Sequence, residues 1–205
     1  NRKDRGSAPR ATCTTLRGIW IRKKTMNQPI SRFEIPNLRS LPPDIQEMIR
    51  AVQEKSGFVP NIFLALAHRP AEFRAFFAYH DALMEKDEGL SKAEREMIVV
   101  ATSGINRCQY CVVAHGAILR IRAKDPLIAD KVAINWRKAG LSERHYAMLY
   151  YAELVATDAD NITQDDYEDM IDAGFTPDEI WDIGAIAAFF GMSNRMANAG
   201  DFRAN

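Results

Sequence analysis

Ser91-Lys92-Ala93-Glu94-Arg95-Glu96-Met97-Ile98-Val99-Val100 can be read in two ways, and the choice settles the fold class. On propensity, the run Ile98-Val99-Val100 favours a strand, because branched side chains fit a pleated surface. Three features favour a helix instead. Ser91 and Glu94 have the spacing of a capping box, the flanks are rich in Ala, Met and Glu, and the apolar run continues without the alternation of a half-buried strand. We read the stretch as a helix. No other segment alternates convincingly over strand length, so the chain is expected to be all-α.

Upstream of it, Asp44 after Pro42-Pro43 is expected to cap a helix to about Lys55, closed by Ser56-Gly57. A short apolar helix spans Ile62 to Ala67. His68-Arg69-Pro70 interrupts it, and Pro70 opens another helix, through Phe73, Phe76, Phe77 and His80, to about Glu85. Downstream, Gly104-Ile105-Asn106 breaks the Glu96 helix, and Asn106 is expected to cap a helix from about Arg107 to Arg122. Further helices start at Asp125-Pro126 (to about Lys138), Ser142, Thr163-x-x-Asp166 and Thr176-Pro177-Asp178-Glu179. The last of these, Ile180 to about Ala199, is apolar on most sides and should be central or lie at a subunit interface. Gly89-Leu90-Ser91 and Gly140-Leu141-Ser142, 51 residues apart, suggest two related helical units.

The chemistry lies in Asn106-Arg107-Cys108-Gln109-Tyr110-Cys111-Val112-Val113-Ala114-His115. Offsets of three, four and seven residues are expected to bring Cys108, Cys111 and His115 to one helical face. Thiolate is the reactive form of cysteine, and a nearby imidazole or helix N-terminus favours it. Glu96, where a polar first turn gives way to an apolar run, is a partly desolvated carboxylate that can accept a proton. Thiol redox chemistry is the expectation.

Composition bounds the alternatives. The 205 residues are 47% apolar and 26% charged, which fits one ordinary globular domain. No apolar stretch approaches the roughly 18 residues that a membrane-spanning helix needs. Formal net charge is zero, yet eight of the 27 basic side chains and only one of the 27 acidic ones fall within residues 1–25. The body is therefore acidic, which argues against nucleic acid as a partner. Residues 1–25, with Cys13, read as a basic, disordered extension, upstream or appended, without function, and residues 26–205 as a single helical domain. With no secretory signal, a C-x-x-C pair reads as cytoplasmic and redox-active or metal-binding.

The Glu96 and Cys108-x-Tyr110-Cys111-x-x-x-His115 pattern resembles the alkylhydroperoxidase D-like branch of the carboxymuconolactone decarboxylase family, in particular its peroxidase-related members. The similarity spans roughly Leu41 to Ala199 and includes Ala67-His68-Arg69-Pro70 and Asn194-Arg195-Met196-Ala197. The resemblance implies an all-helical homo-oligomer, a dimer, trimer or hexamer, that reduces hydroperoxides without a cofactor. It implies Cys111 as the attacking thiol, Cys108 as the resolving thiol and Glu96 with His115 as a proton relay. A thiol or dithiol would be the reductant, for example a lipoyl or thioredoxin-like protein. One departure is Tyr110, where lipoamide-linked relatives place a His, so their reductant does not transfer.

Other readings compete at each position. Cys108 and Cys111 could be inert core thiols. They could also bind zinc with His115, but Zn²⁺ prefers four ligands, and His68, His80 and His145 are distant in sequence. Glu96 could be a first-turn acid complementing the helix dipole. Tyr110 could close a pocket or simply pack. His68 and His80 lack a local partner, so core or interface roles are expected of them. A structural oligomer or a decarboxylase-like enzyme would not need the cysteines. Phe76, Phe77, Met84, Met148, Tyr150, Tyr151, Phe189, Phe190 and Met192 are expected in the core, and Asp158 to Asp172 on a solvated face. Deleting residues 1–25 should leave the melting temperature and any thiol reactivity unchanged; a large fall in melting temperature would show that the segment is docked.

Overall fold

The structure, a computed structural model, describes residues 29–205, so the basic segment and Cys13 lie outside the described residues. Nine α-helices follow in order: α1 Pro43–Ser56, α2 Asn61–Leu66, α3 Pro70–Met84, α4 Lys92–Ile105, α5 Gln109–Ala123, α6 Ile128–Asn135, α7 Glu143–Thr157, α8 Gln164–Asp172 and α9 Pro177–Gly200. Among the described residues there is no strand, and no helix is long and apolar enough to cross a membrane.

The ambiguous stretch is a helix because its start is fixed from both sides. Ser91 Oγ accepts from the Glu94 N–H at 3.2 Å, and Glu94 Oε2 accepts from the Ser91 N–H at 2.8 Å. Glu94 is held down to about 2, first by His145, against the opposing effect of burial, with help from Ser91 and Arg144. The branched run then serves burial rather than pleating. Arg95 to Ser103 are all buried, because α4 packs against α5, α6, α7 and α9. Tertiary packing on every side is what overrides the strand propensity of Ile98-Val99-Val100.

Arg95 has no exposed surface, and four hydrogen bonds hold its guanidinium. It donates to the carbonyls of Leu83, Leu90 and Glu88 at 2.8, 3.2 and 2.8 Å and to Asp182 of α9 at 3.0 Å. Lys86 reaches the other Asp182 oxygen at 2.7 Å. A buried cation needs pairing of this kind, since its desolvation is otherwise unmet.

The suggested internal repeat has a structural counterpart. Gly89 and Gly140 both take positive φ (69° and 74°), and Ser91 and Ser142 both cap the helices that follow, α4 and α7, which pack on each other. Thr163 and Thr176 cap α8 and α9 as expected, and α9 is central. Only Met170 of α8 is buried, consistent with a solvated acidic face.

Several expected boundaries are corrected. Asp44 does not cap α1; Pro42 holds the cap position without a side-chain bond, and Asp44 pairs with Arg74 of α3. Asn106 ends α4 instead of capping α5, which starts at Gln109 with Cys108 in the cap position. The helix expected from Asp125 starts at Ile128 and ends in a 3-10 turn, Trp136–Lys138. Tyr150 and Met192 are exposed, not core.

Gly104 does not break α4. It lies inside it, and a Cβ there would stand 2.4 Å from the Ala133 carbonyl oxygen of α6. The glycine is required by the close approach of two backbones. Gly104→Ala should therefore destabilise the fold by about 1–3 kcal/mol, the usual cost of overpacking, despite its gain in helix propensity. Thermal unfolding would measure this, and an unchanged or raised melting temperature would contradict the packing argument.

Candidate active site

The chain turns just before the cysteines. α4 ends at Ile105, Arg107 adopts φ 52°, and the Cys108 N–H returns to the Ser103 carbonyl at 2.9 Å. A left-handed non-glycine residue is uncommon and strained. This turn places Cys108 at the cap of α5 with extended dihedrals (φ −89°, ψ 96°), outside the helical face that its spacing suggested. The sulfur is therefore positioned where a helix N-terminus offers unpaired N–H groups.

Cys108 and Cys111 are free thiols, buried to 0% and 2% exposure, that perturb each other's ionisation. The Cys108 thiol is drawn down to about 6, chiefly by the Cys111 S–H. Burial opposes this, while the backbone N–H groups of Cys111 and Tyr110 and the Asn194 side chain assist. Cys111 is pushed up, because it is the donor to Cys108, is buried, and stands beside that negative charge. The two thiols titrate as a unit, with Cys108 the member in which the thiolate is favoured.

Asn194, completely buried on α9, is the residue that sequence reasoning left without a role. Its Nδ2 donates to Ser103 Oγ at 3.0 Å, and its Oδ1 accepts from Asn106 at 3.1 Å, so it ties α9 to the end of α4 beneath the cysteines. Its neighbour Ser193 assists Cys111. The available signal was a polar pair, Ser193-Asn194, following the apolar run Ile183–Met192 of α9.

Glu96 and His115 do meet. His115 Nδ1 donates to Glu96 Oε2 at 2.8 Å, with the side chains 14% and 11% exposed, and the His115 ring stands edge-on to Phe190. The carboxylate fixes the tautomer and leaves Nε2 as the free nitrogen. Tyr110 is buried, and its hydroxyl, pushed up to about 12 by burial, accepts from the Ile62 N–H at 3.1 Å. It ties α2 to α5 rather than presenting a polar group to a cavity. His68 bonds the Ala65 carbonyl and stacks on Phe33, whereas His80 faces His115. Among the described residues, no three His, Cys, Asp or Glu side chains are grouped so as to hold a metal.

With this geometry in place, comparison with known proteins is informative. The carboxymuconolactone decarboxylase family model matches residues 70–126, from α3 to just beyond α5. A crystal structure described as an alkylhydroperoxidase AhpD core, an uncharacterized peroxidase-related protein from Ralstonia eutropha JMP134, is 59% identical. It covers 87% of this chain and 94% of its own, with a TM-score of 0.86. The chain belongs to the AhpD-like carboxymuconolactone decarboxylase family. An uncharacterized peroxidase-related protein from Silicibacter sp. TM1040 is 37% identical, with a TM-score of 0.84 over 89% of this chain and 95% of its own. The debrominase Bmp8, 18% identical, shares the AhpD-like fold, with a TM-score of 0.69 over 88% of this chain and 94% of its own. No curated protein matches.

The alkylation rate of the pair by iodoacetamide should rise through an inflection near pH 6 rather than near the value for a free cysteine, because the thiolate forms as pH rises through a lowered pKa. Asn194→Ala should move that inflection upward. An inflection above 8 in the parent protein would remove the argument for a stabilised thiolate.

Proposed function

We propose that the protein is a thiol-dependent peroxidase that reduces organic hydroperoxides with the Cys108–Cys111 pair. One observation carries the reading: two free thiols lie at the N-terminus of α5, with Cys108 favoured as thiolate, and the same helix carries His115, whose imidazole is paired with Glu96 of α4. The peroxidase-related naming of relatives at 59% and 37% identity supports it.

In this reading Cys111 attacks, in the order that the family resemblance implies. Its proton passes to Cys108 as its sulfur bonds to the distal oxygen of the hydroperoxide. The O–O bond breaks, and His115, held by Glu96, protonates the departing alkoxide. Cys108 then displaces the hydroxyl of the Cys111 sulfenic acid, which leaves as water, and a disulfide forms. An external thiol or dithiol restores the pair by exchange. Homo-oligomeric assembly and a cytoplasmic setting belong to the same proposal.

Zinc binding is less well supported, because among the described residues no three His, Cys, Asp or Glu side chains are grouped so as to hold a metal.

Cys111→Ser should abolish hydroperoxide consumption, whereas Cys108→Ser should complete one turnover and leave a sulfenic acid on Cys111 that dimedone traps. Glu96→Gln should slow the parent reaction on the order of 10²–10⁴-fold without unfolding it. Intact mass after one equivalent of cumene hydroperoxide is the decisive measurement: two hydrogens lost at Cys108 and Cys111 is the expected result. A dimedone adduct on Cys108 in active Cys111→Ser protein would reverse the order of the thiols. No oxidation of either cysteine would sink the proposal.

A further inference from the structure

The Glu96–His115 pair faces a second pair of the same kind. On α3, His80 Nδ1 lies 2.9 Å from Asp81 Oδ1, just as His115 Nδ1 lies 2.8 Å from Glu96 Oε2. A carboxylate at Nδ1 makes that nitrogen the donor and leaves Nε2 of each ring open. The two imidazole centroids are 6.4 Å apart and tilted by 49°. Phe190 aligns them, meeting His115 edge-on at 4.8 Å and His80 edge-on at 6.3 Å. Phe77 and Phe189 close on His80 at 6.3 and 6.2 Å. A centroid separation of 6.4 Å is too long for a direct bond between ring nitrogens and suits one intervening water.

Exposure rises steadily along this line. The side chains of Glu96, His115, His80 and Asp81 are 11%, 14%, 23% and 60% exposed. The titratable groups facing His80 are Asp81 on its own helix, His115 from α5 and, behind it, Glu96 from α4; α9 contributes only phenyl rings.

We propose that His80 is the proton-entry residue of the site, passing protons from solvent to His115. The inference rests on the peroxidase reading and follows from its balance. Reduction of a hydroperoxide to alcohol and water moves two electrons from the thiol pair and requires one proton on the alkoxide and one on the departing hydroxide. With Cys108 as thiolate and Cys111 as thiol, the pair carries only one of these, which leaves with the water when the disulfide closes. The proton for the alkoxide comes from outside the pair. His115 delivers it and must then be reprotonated, and His80 stands between that sheltered ring and solvent. His80 touches neither sulfur, so its role is exercised through His115.

The test is single-turnover disulfide formation with cumene hydroperoxide, followed by intact mass in the full chain. His80→Ala should slow it about tenfold or more, and added imidazole should restore most of the rate. The alkylation rate of the cysteine pair should remain at the parent value. His80→Phe, which keeps an aromatic ring against Phe189 and Phe190 but has no nitrogen, should be equally slow and not rescued. Full activity in His80→Phe, or a loss in His80→Ala that imidazole leaves unchanged, would overturn the assignment while the peroxidase reading survives. Failure of the parent protein to form the disulfide at all would remove both.

Discussion

The buried Arg95–Asp182 ion pair is the constraint on which the site depends. It joins the start of α4 to α9, and the same guanidinium gathers three carbonyls from the end of α3 and the loop after it. Glu96 is the next residue along α4, so its direction is set by how Arg95 is held. At the other end of the α4–α9 contact, Asn194 holds Ser103 and Asn106. Two polar ties fix the register of these helices, and the apolar surface between them fills space without selecting one alignment. Removing one partner of a buried pair of this kind typically costs about 3–5 kcal/mol, because the other charge is left uncompensated.

Much of this was legible in the sequence, for reasons that can be named. Helix starts carry local chemistry, and Ser91, Ser142, Thr163 and Thr176 each announced one correctly because a capping bond is made within four residues. The pairing of Glu96 with His115 also followed, since both belong to a signature whose offsets reflect their meeting. What was not legible is non-local. Asp44 looks like a cap, yet its carboxylate is taken by Arg74, thirty residues away. Gly104 reads as a helix breaker, and only the nearness of Ala133 shows that it is a contact point.

The cysteine turn is the instructive failure. Periodicity assumed that Cys108 was already helical, but the left-handed Arg107 moves the helix start beyond it. The displacement bears on the chemistry, since the cap position stands beside first-turn N–H groups that have no partner within the helix. His80 was read as lacking a local partner, which overlooked the adjacent Asp81; it pairs with that carboxylate and faces a second imidazole from α5. Local patterns singled out candidate residues; the tertiary structure supplied their neighbours.

The cap position of Cys108 has a consequence for reduction potential. Helix N–H groups and Asn194 favour the negatively charged, reduced form of the pair, and a disulfide forfeits that charge. Whatever stabilises the dithiol relative to the disulfide makes the disulfide a stronger oxidant. A Cys108–Cys111 disulfide would therefore be a mobile bond rather than a structural one, tuned to be reopened by modest external thiols. The geometry that sharpens the thiolate also sets how readily the oxidised state is returned.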